Sequence, residues 1–203
     1  MIIMNRPPVS TLYESIIFVG FISVLFSIIF ELSRKDNMGI LLGSIVGTAL
    51  HFIGFGYASD GNTLQVLVAV LNSNFWLSTH VIVVTSGYMT CCVAGLIGHV
   101  YMVQSVLLGR RVQRKQTSNI NLTDTYRALF GTLALGLTFS FVGTMLGGIW
   151  ADQSWGRFWG WDPKENGALL IVLWQIMMLH FRITGIAKPL GFALGMVLNN
   201  IVV

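Results

Sequence analysis

Six apolar runs separated by short polar breaks set the plan of this chain. Uncharged residues extend from Ser15 to Phe30, Asn37 to Ser59, Gly61 to Gly109, Ala128 to Ala151, Asn166 to Phe181 and Pro189 to Val203. A helix that crosses a bilayer needs roughly 20 mostly apolar residues, so the pattern predicts five spanning helices and a shorter sixth. In the long third run, polar Gln65, Asn72 and Asn74 interrupt Thr63–Phe75. That predicts an interfacial stretch followed by one span from about Ser78 to Val103. The expected fold is all-α: a polytopic membrane helical bundle of about six transmembrane helices, forming one membrane domain over residues 1–203.

Composition agrees with the pattern. The chain is 54% hydrophobic and 10% charged, with a mean hydropathy of +0.73, far from a soluble domain. Loops rich in Lys and Arg stay on the cytoplasmic side. If the N-terminus is outside, Arg34, Lys35, Arg110, Arg111, Arg114, Lys115, Arg127, Arg182 and Lys188 share the inner side, leaving Arg6, Arg157 and Lys164 outside. This puts the segment before His80, the loop near Trp155 and the C-terminus on the outer face. Topology thus accounts for the net charge of +4, and no nucleic-acid partner is called for. Met1–Pro8 lacks the layout of a cleavable signal, so the first helix is expected to remain. Cys91-Cys92 sits deep in a span without CxxC spacing and reads as packing.

Candidate chemistry concentrates in residues 149–166, where four of the six tryptophans lie in the stretch WADQSWGRFWGWDPKE from Trp150 to Glu165. Tryptophan at a membrane interface is often only an anchor, but anchoring does not require Asp162-Pro163-Lys164-Glu165 in that order at a helix start. Pro163 suits the first turn and Asp162 can cap it. Trp155, Trp159 and Trp161 together offer enough ring surface for a planar macrocycle, with Arg157 and Lys164 as cations for acidic edges. Asp162 and Glu165 are expected to shape the loop rather than act as acid or base. No hydrolase triad, phosphate loop or zinc motif is present.

WGRFWGWDPKE resembles the tryptophan-rich signature of haem-handling membrane proteins of cytochrome c maturation, in the form of the CcsA (ResC) family. Arg6-Pro7-Pro8-Val9 with Leu12-Tyr13-Glu14, and Leu179-His180-Phe181-Arg182, are similar to further elements of that family. Asn166-Gly167 departs from it, since many relatives have threonine and tryptophan there. The resemblance implies cytochrome c-type biogenesis. Haem b would be moved across the membrane and presented on the outer face to the CxxCH thiols of apocytochrome c, together with a CcsB-like membrane partner. Catalysis of thioether formation would belong only to the complex with CcsB. A bacterial inner membrane or a thylakoid-type membrane is the implied location. Two alternatives stay open: CcmC-like delivery of haem to a chaperone, and a non-enzymatic di-haem anchor or transporter subunit.

Histidines are the candidate iron ligands. His80 lies at the outer end of the third span, level with the tryptophan loop, and resembles the family's external histidine. His180 is fifteen residues beyond Glu165, about 22 Å deeper at ~1.5 Å per residue, so it is expected to serve a separate position in the membrane. His51 and His99 match no family histidine; His99 has a depth that would let it face His180. The resemblance further implies a second external histidine after the last span, where this sequence ends at Asn199-Asn200-Ile201-Val202-Val203. The expectation is therefore of a partial chain.

Overall fold

A computed structural model describes residues 11–58, 73–113 and 121–203. The Arg6–Val9 element, most of the expected interfacial stretch with Gln65 and Asn72, and Arg114 and Lys115 lie outside the described residues. Among the described residues all regular structure is helical: α1 (Leu12–Arg34), α2 (Met38–Tyr57), α3 (Asn74–Trp76), a π-helical turn (Leu77–Val81), α4 (Ile82–Gln113), α5 (Leu122–Trp155), α6 (Pro163–Ile183) and α7 (Pro189–Val202). Five segments are long and apolar enough to cross a membrane, and α7 is the shorter sixth. The third span is longer than the sequence pattern gave, since α3, the π-turn and α4 run continuously into one rod.

Local chemistry explains the helix ends. Thr11 and Glu14 form a capping box at the start of α1, with Thr11 Oγ1 accepting from Glu14 N at 3.1 Å and Glu14 Oε2 from Thr11 N at 3.2 Å. The α1–α2 turn is closed by Glu31, which accepts from Asn37 N at 2.9 Å and Gly39 N at 3.0 Å, serving the orphan donors at the start of α2. Arg34 pairs with Asp36 and donates to the Asp124 carbonyl at 2.6 Å, tying this turn to the start of α5.

Helices α4 and α5 form the axis of the bundle, and small residues let them approach. Gly87 meets Ser140, Gly143 meets the backbone of Val84, and Gly136 meets Cys91; a methyl on Gly87 or Gly143 would lie 2.6–2.7 Å from the opposing helix. Close approach at small residues is how helices associate where burial of apolar surface gives no net drive. Helix α7 lies in contact with α4 and α6, burying Phe192, Ala193 and Met196 against Val93, Ala94 and Ile97. Polar Gln175 and Asn199, both fully buried, bond to Cys91: Gln175 Nε2 reaches its Sγ at 2.8 Å and Asn199 Nδ2 its carbonyl at 3.0 Å. Cys91 thus sits in packing, with Cys92 beside it as a free thiol.

Candidate functional site

One end of the bundle gathers the segments that carry the candidate chemistry. The 149–166 stretch is not all loop: α5 continues through Trp155, a seven-residue connection spans 156–162, and α6 starts at Pro163. Two of its four tryptophans, Trp150 and Trp155, are therefore helical. The sequence put the loop from residue 149, just before the uncharged run ends at Ala151, but the helix continues to Gly156, which ends α5 in the left-handed conformation at φ +67° that glycine adopts without strain.

The connection is fixed by α6. Asp162 Oδ1 accepts from Lys164 N at 2.8 Å and Glu165 N at 2.9 Å. Glu165 Oε2 reaches back to Gly160 N at 2.6 Å and Asp162 N at 3.3 Å. These are the shaping roles expected of both carboxylates. Asn166 Nδ2 donates to the Trp161 carbonyl at 3.0 Å, holding a non-glycine residue at φ +58°. On the other side Phe158 fills the notch over Gly148, where a methyl would lie 2.6 Å from its ring.

Between the connection and the helices is a cavity of about 610 Å³, lined among others by His80, Tyr88, Trp150, Trp155, Trp159 and Lys164 and closed on one side by Val202 and Val203. His80, the tryptophan stretch and the end of α7 thus meet at one end of the bundle. Arg34, Arg127 and Arg182 collect at the other, where Arg34 bonds to the start of α5 and the Arg182 guanidinium stacks 4.9 Å over Tyr126.

His80 projects from the π-turn, a geometry common at functional sites because its extra residue redirects side chains. Its Nδ1 lies 2.8 Å from the Gly143 carbonyl oxygen. That oxygen can only accept, so Nδ1 carries the hydrogen and Nε2 keeps its lone pair. The ring is wedged between Gly147, where a methyl would lie 2.7 Å away, and Trp150, 5.7 Å off at 62°. Trp150 stacks on Trp76 at 6.4 Å and 10°, and Trp76 Nε1 donates to Gln153 Oε1 at 3.1 Å. Trp150 and Trp76 are each 9% exposed, so this pair is a wall behind His80, of which Trp150 also lines the cavity.

The other candidates divide. Trp155, Trp159, Asp162 and Lys164 line the cavity. Trp161, 71% exposed, stands nearly perpendicular to Trp159 at 83° with ring centroids 6.3 Å apart, and is not among the lining residues. Arg157 lies across Gly160 and does not line the cavity either. His180 is exposed on α6, with Nδ1 2.7 Å from the Ile176 carbonyl. His99 is exposed on α4, with Nδ1 2.9 Å from the Gly95 carbonyl. Each is held by its own helix, and no hydrogen bond or ring contact joins the two among the described residues. Sequence reasoning missed Gly143, Gly147 and Gly148; the spacing of small residues Gly136, Ser140, Gly143 and Gly147 was the available signal.

Residues 9–195 match the family described as Cytochrome C assembly protein. The chain belongs to the cytochrome c assembly family. It is 33% identical over 197 residues to the cytochrome c biogenesis protein CcsA of Guillardia theta, covering 87% of this chain and 64% of that one. It is 31% identical over 182 residues to the CcsA of Chlamydomonas reinhardtii, covering 87% and 50%. Protein NrfI of Wolinella succinogenes is 31% identical over 186 residues, 88% of this chain but 19% of NrfI. The chain thus spans at most about two-thirds of these relatives. Family membership and the five long apolar helices make this cytochrome c assembly protein an integral membrane protein.

Proposed function

We propose that this chain binds haem b in the tryptophan-lined cavity and presents it, on the outer side of the membrane, for attachment to the CxxCH thiols of apocytochrome c. The observation that carries this reading is the pairing of His80, whose Nε2 lone pair is free, with Trp155, Trp159 and Lys164 around a single cavity. An imidazole nitrogen ligates iron, indole rings cover an apolar macrocycle, and an ammonium pairs with a propionate. Iron protoporphyrin brings the vinyl groups that the thiols attack. The protein would contribute position: His80 would hold the iron, Trp155 and Trp159 would cover the macrocycle and Lys164 would pair with a propionate, so that proximity does most of the work.

His180, at the far end of α6 from the cavity, is proposed as the ligand of an earlier position in the membrane. An ionisable side chain exposed within a span marks such a pathway, and a CcsB-like partner would supply the facing group. Attachment chemistry would then belong to the assembled complex.

The test is a reduced-state haem spectrum of the purified chain, expressed with and without a CcsB-like partner, for wild type, Trp159→Ala, His80→Ala and His180→Ala. Loss of the signal on changing Trp159 or His80 supports the reading. Retention in both, with loss only at His180, would reduce the tryptophan stretch to an interface anchor.

A further inference from the structure

One face of α5 holds the chain on both sides of the π-turn that carries His80. Along that face Gly143, Gly147, Trp150 and Gln153 fall within about 120° at 3.6 residues per turn. The Gly143 carbonyl accepts from His80 Nδ1 at 2.8 Å, Gly147 leaves space for the ring and Trp150 meets its edge at 5.7 Å. Four residues before His80, Trp76 stacks on the same Trp150 at 6.4 Å and 10°. Its Nε1, the one polar atom of a nearly buried indole, donates to Gln153 Oε1 at 3.1 Å. Neither Trp76 nor Gln153 is among the residues lining the cavity, so their part in the site is not to touch what fills it.

Between the two points of attachment lies the π-turn Leu77–Val81. A π-turn carries one residue more than an α-turn, so closing it to α geometry would rotate Trp76 by about 100° relative to the helix that follows. Both the stack and the indole bond therefore exist only while the π-turn does. Such turns are otherwise rare, and contacts that only this form permits are what keep it. His80, inside the turn, would rotate by part of the same angle, which breaks a directed bond such as that to Gly143.

We propose that Trp76 and Gln153 are positioning residues for His80: their bond, together with the Trp76–Trp150 stack, holds the π-turn, and the π-turn aims the imidazole so that Nδ1 meets Gly143 and Nε2 stays free. Gln153 acts as an acceptor, so a carboxylate in its place keeps the function and an apolar side chain does not. The positioning rests on these contacts alone, whereas its bearing on haem rests on the function proposed above.

The experiment uses the whole chain with nitrogen-15 in its histidine rings, in detergent without haem, above the ordinary histidine value of about pH 6.5; His80→Ala identifies the His80 signals. Wild type is expected to show a protonated Nδ1 and a bare Nε2 at His80. Gln153→Leu and Trp76→Leu should average the two nitrogens, Gln153→Glu should restore the wild-type pattern, and His51, His99 and His180 should keep their shifts in Gln153→Leu. Haem titration of the same proteins should show about tenfold weaker binding for Gln153→Leu than for wild type or Gln153→Glu, the scale of a disturbed outer-shell group. Trp76→Leu also removes a buried ring, so Gln153→Leu, which removes only an acceptor from an exposed position, is the decisive variant. An unchanged His80 pattern in it overturns the proposal, as does a change spread over all four histidines. A changed pattern with unchanged haem affinity upholds the positioning and counts against the haem reading. Wild type that binds no haem would sink that reading too, while the ring nitrogens still decide the positioning.

Discussion

The Nδ1 atom of His80 lies 2.8 Å from the carbonyl oxygen of Gly143, a bond from one helix to the next that fixes both the tautomer and the direction of the ring. One turn further along α5, Gly147 leaves just the room the imidazole occupies. Outer-shell groups that orient a ligand typically change metal affinity by about 10- to 100-fold when disturbed. Gly147→Ala is therefore expected to weaken haem binding by roughly tenfold and to shift the reduced spectrum, while His80→Ala abolishes the signal. Titration of haem into the purified chain measures both, and a Gly147→Ala protein with wild-type affinity would show that the ring is not held from this side.

The two tryptophans of the connection have different surroundings and should differ in effect. Trp159 lines the cavity and Trp161 does not. Trp159→Ala is expected to lower haem affinity by about tenfold, the scale of one aromatic contact with its buried area, and Trp161→Ala to leave it within about twofold. By the same reasoning Lys164→Ala weakens binding more than Arg157→Ala. The reverse ranking in either pair would move the ligand to the outer surface of the connection.

Glu165 serves the connection through two backbone donors, Gly160 N and Asp162 N, and Asp162 caps α6. Loss of such a cap costs about 1 kcal/mol. Asp162→Ala and Glu165→Ala should each speed backbone hydrogen exchange at residues 156–165 and lower haem affinity without changing exchange in α4. Uniform loosening of the whole chain would mean a global rather than a local role.

The α4–α5 axis tolerates no added volume at Gly87 or Gly143. Overpacking typically costs about 1–3 kcal/mol, so Gly87→Leu or Gly143→Leu should lower the thermal midpoint in detergent by several degrees. Gly56, which has open space beyond its Cα, is the control: Gly56→Ala should leave the midpoint nearly unchanged.

Asp36, in the α1–α2 turn outside the spans, has its carboxyl held below the ordinary value of 3.8: desolvation pushes it up, but the Arg34 guanidinium and the Met38 N–H outweigh that. A lowered folded-state value means stabilisation that is present above the ordinary carboxylate range and fades as pH falls through the folded value. Wild type should therefore lose stability relative to Asp36→Asn as pH drops from 6 towards 3, and equal slopes for the two proteins would remove Asp36 from the acid response.

Much of this was legible along the chain. The apolar runs gave six membrane-length or near-length helices because a bilayer dictates span length residue by residue, and Asp162-Pro163 announced the start of α6 because capping is a local event. His80 and the tryptophan stretch were marked as one site by their shared end of the bundle. Other features were not local. That Trp150 belongs to a wall with Trp76, that Trp161 does not line the cavity, and that Arg157 lies over Gly160 depend on α5 running about one turn beyond its apolar stretch, through Asp152, Gln153 and Ser154 to Trp155. The sequence by itself determined the helices, their caps and the residue types available at the site. Only the packing of α4 on α5 decided which of those residues share a cavity, because side chains far apart in sequence are brought together where glycines remove the bulk that would keep two helices apart.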